Sequence, residues 1–320
     1  MPVAYRLGEL LENPLKFSND CIGEEARRKV DSLKEGEIVL LENLRFHPGE
    51  ESNSSPFAKE LASLGDIFVN DAFGTAHRSH ASTVGIAAHL PSVSGFLIEK
   101  ELEVMDKALN DPARPFGVIV GGAKVSDKMD LLENLLDKVN TLLIAGGMGA
   151  TFLKTLKYNM GDSLVEDDKM GLAQELMDKA AAKGVHLLLP TDVVIANKFE
   201  ANAKSRIVSI SEVPDGWRVM DIGPKTIELY EAKLRKCKTV IWNGPVGVFE
   251  FEKFKKGTSS LAGVVASLDA TTIIGGGSTA EAIDQMGLGH KVTHVSTGGG
   301  ASLRLMEGKP LPAVAALMDR

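Results

Sequence analysis

Two signals alternate along the chain. Short β-branched and aliphatic runs at residues 38–41, 67–69, 118–120, 142–145, 187–189, 239–242, 272–274 and 292–295 predict strands. Between most of them, apolar positions recur at helical spacing, as at 57–64, 168–183 and 227–234. Most of the strand runs are apolar on both faces, the mark of parallel strands covered by helices. Repeated strand–helix units predict an α/β fold with an open, doubly wound parallel sheet.

Several of the later strands run into glycine: Gly121-Gly122, Gly146-Gly147, Gly244, Gly275-Gly276-Gly277 and Gly298-Gly299-Gly300. Ligands of open α/β sheets bind outside the carboxyl ends of the strands, so one crevice lined by converging amides is expected. The segment Gly121-Gly122-Ala123-Lys124-Val125-Ser126-Asp127-Lys128 is the most specific. Apolar residues Met129, Leu132, Leu135, Leu136 and Val139 follow it at helical spacing. Glycines allow close backbone approach, and a helix start offers free N–H groups. Lys124 and Lys128, four residues apart, would add positive charge on one face. Phosphate is the expected ligand.

The stretch Asp111-Pro112-Ala113-Arg114-Pro115 follows a charged helical segment at about 98–109 and marks a domain boundary. The glycine-rich ends all lie beyond it. Two lobes are therefore expected, 1–111 and 112–320, joined by that helix, with the last residues returning to the first lobe.

Length and composition agree with two globular domains: 320 residues, 44% hydrophobic and 25% charged. A net charge of −7 argues against a nucleic-acid or membrane-surface partner and for a small anionic ligand in a locally basic pocket. Cys21 and Cys237 are the only cysteines; their spacing gives neither a metal cluster nor a disulfide framework, so a reducing, cytoplasmic setting is expected. No run approaches the 18 apolar residues of a membrane span, and the first residues show no signal-peptide core.

Two further segments place an arginine just past a strand in the first lobe, Glu42-Asn43-Leu44-Arg45-Phe46-His47 and Asp71-Ala72-Phe73-Gly74-Thr75-Ala76-His77-Arg78. The guanidinium fork suits phosphate or carboxylate, so Arg45 and Arg78 are either a second anion site or surface residues paired with nearby acids. His47 and His77 are either bases or local hydrogen-bonding groups. The turn from Trp242 to Glu250 mixes Gly, Pro and apolar residues that can wall a flat ring. Glu250 would accept from ribose hydroxyls or cap the following helix. Ser278 is an N-cap candidate that could also touch a phosphate or a metal-bound water.

Six ordered stretches, LLENLRFHPGEE, DAFGTAHRSHAST, VGGAKVSDK, WNGPVGVFEF, GGGST and STGGGAS, resemble the signatures of the phosphoglycerate kinase family, from near residue 2 to the end. The resemblance implies two lobes with a hinge, the first for 3-phosphoglycerate or 1,3-bisphosphoglycerate and the second for Mg2+ with ATP or ADP. Arg45, His77 and Arg78 would bind the glycerate phosphate. Lys124, Gly277 and Gly300 would attend the transferring phosphoryl group. Gly122, Lys124, Lys128, Gly146, Gly147, Asn243, Pro245, Glu250, Gly276, Gly277, Ser278 and Thr279 would surround the nucleotide. A monomeric cytoplasmic enzyme follows, with no nucleic-acid or membrane partner. The rival readings are an impaired nucleotide-binding fragment of such a kinase and a dinucleotide-dependent dehydrogenase; the latter lacks the expected G-x-G-x-x-G after a first strand.

Two departures from the family pattern carry expectations. The arginine–aspartate–asparagine and histidine–glycine–arginine motifs, each following a strand in the family, do not occur here. An incomplete first lobe, a helix whose apolar face of Val3, Leu7, Leu10 and Leu11 lacks a sheet to cover, and weak or no kinase activity are therefore expected. Ser278 stands where the family often has an aspartate that helps hold magnesium, which predicts retained but altered metal binding.

Overall fold

The computed structural model describes residues 2–11, 13 and 15–318. The chain divides into two compact units. One holds the residues up to Lys100 together with those from Pro310 onward; the other is Glu101–Lys309.

The first unit runs α1 (Pro2–Leu11), β1 (Leu15–Phe17), α2 (Gly23–Asp31), β2 (Ile38–Leu40), α3 (Pro48–Glu51), α4 (Ser55–Ala62), β3 (Phe68–Asn70) and β4 (Ser92–Ser94). Helix α5 (Phe96–Asn110) contains the division between Lys100 and Glu101, ahead of the proline-flanked stretch at 111–115. The second unit continues with β5 (Phe116–Val120), α6 (Met129–Leu136), β6 (Thr141–Ile144), α7 (Gly146–Thr155), α8 (Met170–Ala182), β7 (His186–Leu188), β8 (Asp192–Ala196), β9 (Ser205–Ser209) and β10 (Arg218–Ile222). It closes with α9 (Pro224–Leu234), β11 (Thr239–Asn243), α10 (Lys256–Ala266), β12 (Thr271–Gly275), α11 (Gly277–Gln285), β13 (His294–Val295) and α12 (Gly300–Met306). Helix α13 (Pro312–Ala315) belongs to the first unit.

In the second unit six parallel strands lie in the order β13-β12-β11-β5-β6-β7. The alternation of side chains across each strand feeds two cores at once. Val118, Val120, Leu142, Ile144 and Ile241 pack on one face with Leu131, Leu132 and Leu135 of α6. Ile119, Leu143, Val240 and Trp242 pack on the other with Tyr230, Leu234 and Leu261 of α9 and α10. Every residue of β5, β6 and β11 is buried, which is why these strands read as unbroken apolar runs. Burying each large apolar side chain is worth about 1.5–3 kcal/mol.

A second sheet departs from the parallel expectation. Strands β10-β8-β9 form an antiparallel trio, so the lobe is not wholly parallel. Three of the five residues of β9 are exposed, and its mixed polarity gave no apolar run. Buried Asp192 at the start of β8 accepts the N–H groups of Lys225 at 3.1 Å and Thr226 at 2.8 Å, and so caps α9 from outside that helix.

The first unit holds two separate two-stranded parallel sheets, β1–β2 and β3–β4, in place of one wound sheet. A small core of Cys21, Phe57, Ala58, Leu61, Ala62, Ala81 and Ile86 supports it. On α1, Val3 is 70% exposed and Leu10 64%. Strand residues Ile38, Val69 and Val93 are exposed as well. These apolar side chains are uncovered in the described structure.

Candidate active site

The ends of β5, β6 and β11 pack backbone against backbone. Gly121 N–H donates to Asn243 O at 2.9 Å, Gly122 N–H to Pro245 O at 3.2 Å, and Gly146 N–H to Val246 O at 3.1 Å. A Cβ on Gly121 would sit 2.1 Å from Pro245 O. Gly244 has φ +92°, and a Cβ there would sit 2.3 Å from Gly121 O. The glycines thus let three loops interlock. This corrects the expectation that their amides converge on an anion, because the N–H groups of Gly121, Gly122, Gly146 and Gly244 are already bonded within the protein. The donors that helix geometry leaves over lie at the first turn of α11, where Gly277 and Ser278 are exposed.

A cavity of about 330 Å³ opens beside these loops. Gly122, Gly146, Gly147, Pro245 and Glu250 line it, with apolar walls from Leu153, Val193 and Val219. Such a mostly apolar slot with a few polar edges suits a flat ring. Buried Asp221 also lines it, a residue the sequence reading missed. Its carboxylate accepts Gly257 N–H at 2.7 Å and Ile222 N–H at 2.9 Å. Burial, only partly offset by those two bonds, pushes its pKa up to about 7.

Lys124, Lys128, Asn243, Gly276, Gly277, Ser278 and Thr279 do not line this cavity. Of these, Lys128, Gly276 and Thr279 meet Asn243 or Gly244 beside its rim. Lys128 Nζ donates to Asn243 Oδ1 at 2.5 Å, and Asn243 is 1% exposed. Its Nδ2, buried and without a hydrogen-bond partner among the described residues, faces Gly276, where a Cβ would lie 3.3 Å away. Burial lowers the pKa of Lys128, although Glu307 and Asp127 pull the other way. Thr279 is buried, and its hydroxyl accepts Gly244 N–H at 2.8 Å, a structural use of a residue expected at the phosphates.

The two lysines do not share a helical face. Residues Ser126–Lys128 form a 3-10 turn, α6 begins only at Met129, and Lys124 stands ahead of both on an exposed loop. Glu166 holds that loop: its carboxylate accepts Ser126 N–H at 3.1 Å and Ser126 Oγ at 2.5 Å. Burial alone would raise its pKa, but the bonds from Ser126 and Val125 outweigh burial and lower it, with help from the charge of Lys124. Only the folded chain brings Glu166 to Ser126, so sequence spacing carried no signal for it.

In the first unit a cavity of about 720 Å³ is lined by Asn43, Arg45, Glu50, Thr75 and His80 among others. Arg45 is exposed, with its Nε 3.7 Å from Glu51 Oε1. His77 and Arg78 are not among the lining residues; Arg78 is exposed and His77 half-buried. Buried Glu50, also missed, accepts Ser82 N–H at 3.0 Å and Ser82 Oγ at 2.6 Å, with His80 Nδ1 at 3.6 Å. It ties the 78–82 loop to α3. His47 does not line that cavity; its Nε2 lies 2.7 Å from Oδ1 of Asp20, on a separate stretch of the first unit.

With the geometry in place, comparison with known proteins is decisive. The family model described as phosphoglycerate kinase matches residues 1–309. The chain belongs to the phosphoglycerate kinase family. A phosphoglycerate kinase of Moorella thermoacetica is 54% identical over 319 residues, covering 100% of this chain and 81% of that protein. The cytosolic phosphoglycerate kinase of Nicotiana tabacum is 56% identical over 322 residues, covering 99% and 80%. The solved structure of phosphoglycerate kinase from Coxiella burnetii superposes with a TM-score of 0.87 at 42% identity, covering 98% of this chain and 79% of that one. That from Pyrococcus horikoshii gives 0.85 at 32% identity, covering 99% and 81%. The chain therefore spans about four-fifths of the relatives it matches. The parallel α/β architecture and the assignment as a phosphotransferase of glycolysis stand on these likenesses. No helix among the described residues is long and apolar enough to cross a membrane.

Proposed function

We propose that this chain transfers a phosphoryl group reversibly between 1,3-bisphosphoglycerate with ADP and 3-phosphoglycerate with ATP, the nucleotide binding in the Glu101–Lys309 unit. The observation that carries the reading is the interlocked set of strand ends, Gly121, Gly146 and Gly244, beside an apolar slot and the Lys128–Asn243 contact. The slot takes the base, and Glu250 on its lining accepts from ribose. Asn243 Nδ2, Lys124 and the first turn of α11 donate to the phosphates. Phosphoryl transfer is catalysed by positioning and charge neutralisation, and a mobile ammonium with preset amide donors supplies both. Lys124, on a loop held by Glu166, neutralises charge on the transferring group, with Gly277 and Gly300 offering amides. Arg45, His77 and Arg78 bind the glycerate phosphate in the first unit.

Magnesium fits this donor set. The ion keeps several waters, bonds chiefly to phosphate oxygens and needs few protein ligands. Exposed Ser278 offers one neutral hydroxyl at the α11 start. Ser278 would hold the ion directly or through water, and the ion would supply neutralisation of the nucleotide phosphates. We further propose a monomer acting in the cytoplasm, without nucleic-acid or membrane partners, in line with the net charge of −7.

Titration with magnesium–ADP by calorimetry, followed by a coupled kinase assay on the same sample, tests this. Binding with turnover supports the full reading. Binding without turnover supports the rival, a nucleotide-binding protein impaired in transfer. Absence of nucleotide binding overturns both.

A further inference from the structure

We propose that Asp20, Cys21 and His47 form a site for a divalent transition-metal ion of borderline softness, zinc(II) by ligand type. One carboxylate oxygen, Sγ and a ring nitrogen lie within 4.8 Å of one another. Two separate stretches of the first unit supply them: Asp20 and Cys21 lie just ahead of α2, and His47 just ahead of α3. The two cysteines of the sequence gave no metal spacing; the fold makes the cluster by adding a histidine and an aspartate.

Each ligand is held in place by its own surroundings. Asp20 Oδ1 accepts the N–H of Cys21 at 2.6 Å and of Ile22 at 3.4 Å. The His47 ring stacks on Phe57 with centroids 5.2 Å apart. Cys21 is 1% exposed and packs in the core with Phe57 and Ala58. The Asp20 and His47 side chains are 46% and 31% exposed, which leaves an ion a path from solvent. Support of this kind fixes ligand orientation and tunes affinity.

The donor set selects the metal. Thiolate with imidazole and one carboxylate suits zinc, whereas magnesium and calcium prefer oxygen alone. Bonds of about 2.0–2.3 Å at tetrahedral angles place ligand atoms roughly 3.5 Å apart, so the widest pair must close by about 1 Å. His47 Nε2 gives up the proton it donates to Asp20, which passes through water to Nδ1, and exchanges that 2.7 Å contact for a bond to the ion. The Cys21 S–H bond breaks, its proton leaves to water, and a sulfur–metal bond forms. Three protein ligands leave the fourth position to water.

Cobalt(II) added to the reduced whole chain tests the site by its thiolate-to-metal absorption in the near ultraviolet. The expected result is a saturating signal at one ion per chain, bleached by an equivalent of zinc(II). Cys237 is the only other cysteine, so Cys237→Ala keeps the band and Cys21→Ala abolishes it. His47→Gln and Asp20→Asn each weaken cobalt binding at least about tenfold. The proposal is overturned by absence of the band in the unmutated chain at millimolar cobalt, or by its survival in Cys21→Ala. Should Cys21→Ala not fold, unchanged affinity in both His47→Gln and Asp20→Asn overturns it instead.

Discussion

Glu101 and His294 form a buried pair, with His294 Nε2 2.7 Å from Glu101 Oε2 and side-chain exposures of 7% for the histidine and 0% for the glutamate. The other carboxylate oxygen accepts Thr297 N–H at 2.7 Å and Thr297 Oγ1 at 2.8 Å. One side chain of α5 therefore anchors both β13 and the loop that leads into Gly298-Gly299-Gly300. Burial works to raise the Glu101 pKa, but the bonds from His294 and Thr297 outweigh it and lower the pKa from 4.5. Removing one partner of a buried pair costs about 3–5 kcal/mol, so Glu101→Ala should lower the melting temperature of the Glu101–Lys309 unit strongly. A depressed carboxyl pKa stabilises the fold above the unfolded value, and this contribution is lost as pH falls through the folded value. Acidification from pH 6 to pH 3 should thus destabilise the unmutated chain more than Glu101→Gln; equal slopes in pH-dependent melting would contradict the assignment.

Asp221 has the opposite sign. Its folded pKa, about 7, lies above the ordinary 3.8, so its ionisation opposes folding. Stability from this group is complete below the unfolded value and declines as pH rises through 7, by at most about 1.4 kcal/mol per pH unit. Asp221→Asn should remove that decline. Denaturant titrations at pH 5 and pH 8 should show the unmutated chain losing stability relative to the variant.

Glycine positions separate into packed and open. Gly121→Ala drives a Cβ to 2.1 Å from Pro245 O, a backbone atom that cannot step aside. Overpacking costs about 1–3 kcal/mol or more, and here it displaces the nucleotide loop. Loss of magnesium–ADP binding with a lowered melting temperature is expected. A Cβ on Gly277 meets nothing within 4 Å, so Gly277→Ala should melt within about 0.5 kcal/mol of the parent. Any effect of Gly277→Ala should appear in kcat and the nucleotide KM, not in the KM for 3-phosphoglycerate.

The Lys128–Asn243 contact is expected to set nucleotide affinity. Hydrogen bonds to charged groups contribute about 1.5–3 kcal/mol, so Asn243→Leu should raise the nucleotide KM roughly ten- to a hundredfold. The KM for 3-phosphoglycerate should not change, since Asn243 belongs to the other unit. A parallel rise in both would point to global damage.

Ser278 is expected to govern magnesium. Ser278→Ala should raise the half-saturating magnesium concentration about tenfold, and Ser278→Asp, by adding an anionic oxygen ligand, should lower it. A coupled assay across a magnesium titration decides; an unchanged curve for Ser278→Ala removes that role.

The sequence alone determined the parallel sheet of the second unit, because β5, β6 and β11 are buried on both faces and are apolar between their ends. It also marked where three loops interlock, since strand ends that pack this closely need glycine and leave a linear trace at Gly121, Gly146 and Gly244. Tertiary structure decided what long-range contacts supply. The antiparallel trio β10-β8-β9 owes its form to pairing partners, and its outer strand β9, three of whose five residues are exposed, shows no apolar run. Glu166 on Ser126, Asp221 on Gly257 and Glu101 on His294 join residues far apart in the chain, and a hydrogen bond between distant residues imposes no spacing on the sequence. The same reason hid the Asp20–Cys21–His47 cluster, whose ligands meet only when the first unit folds.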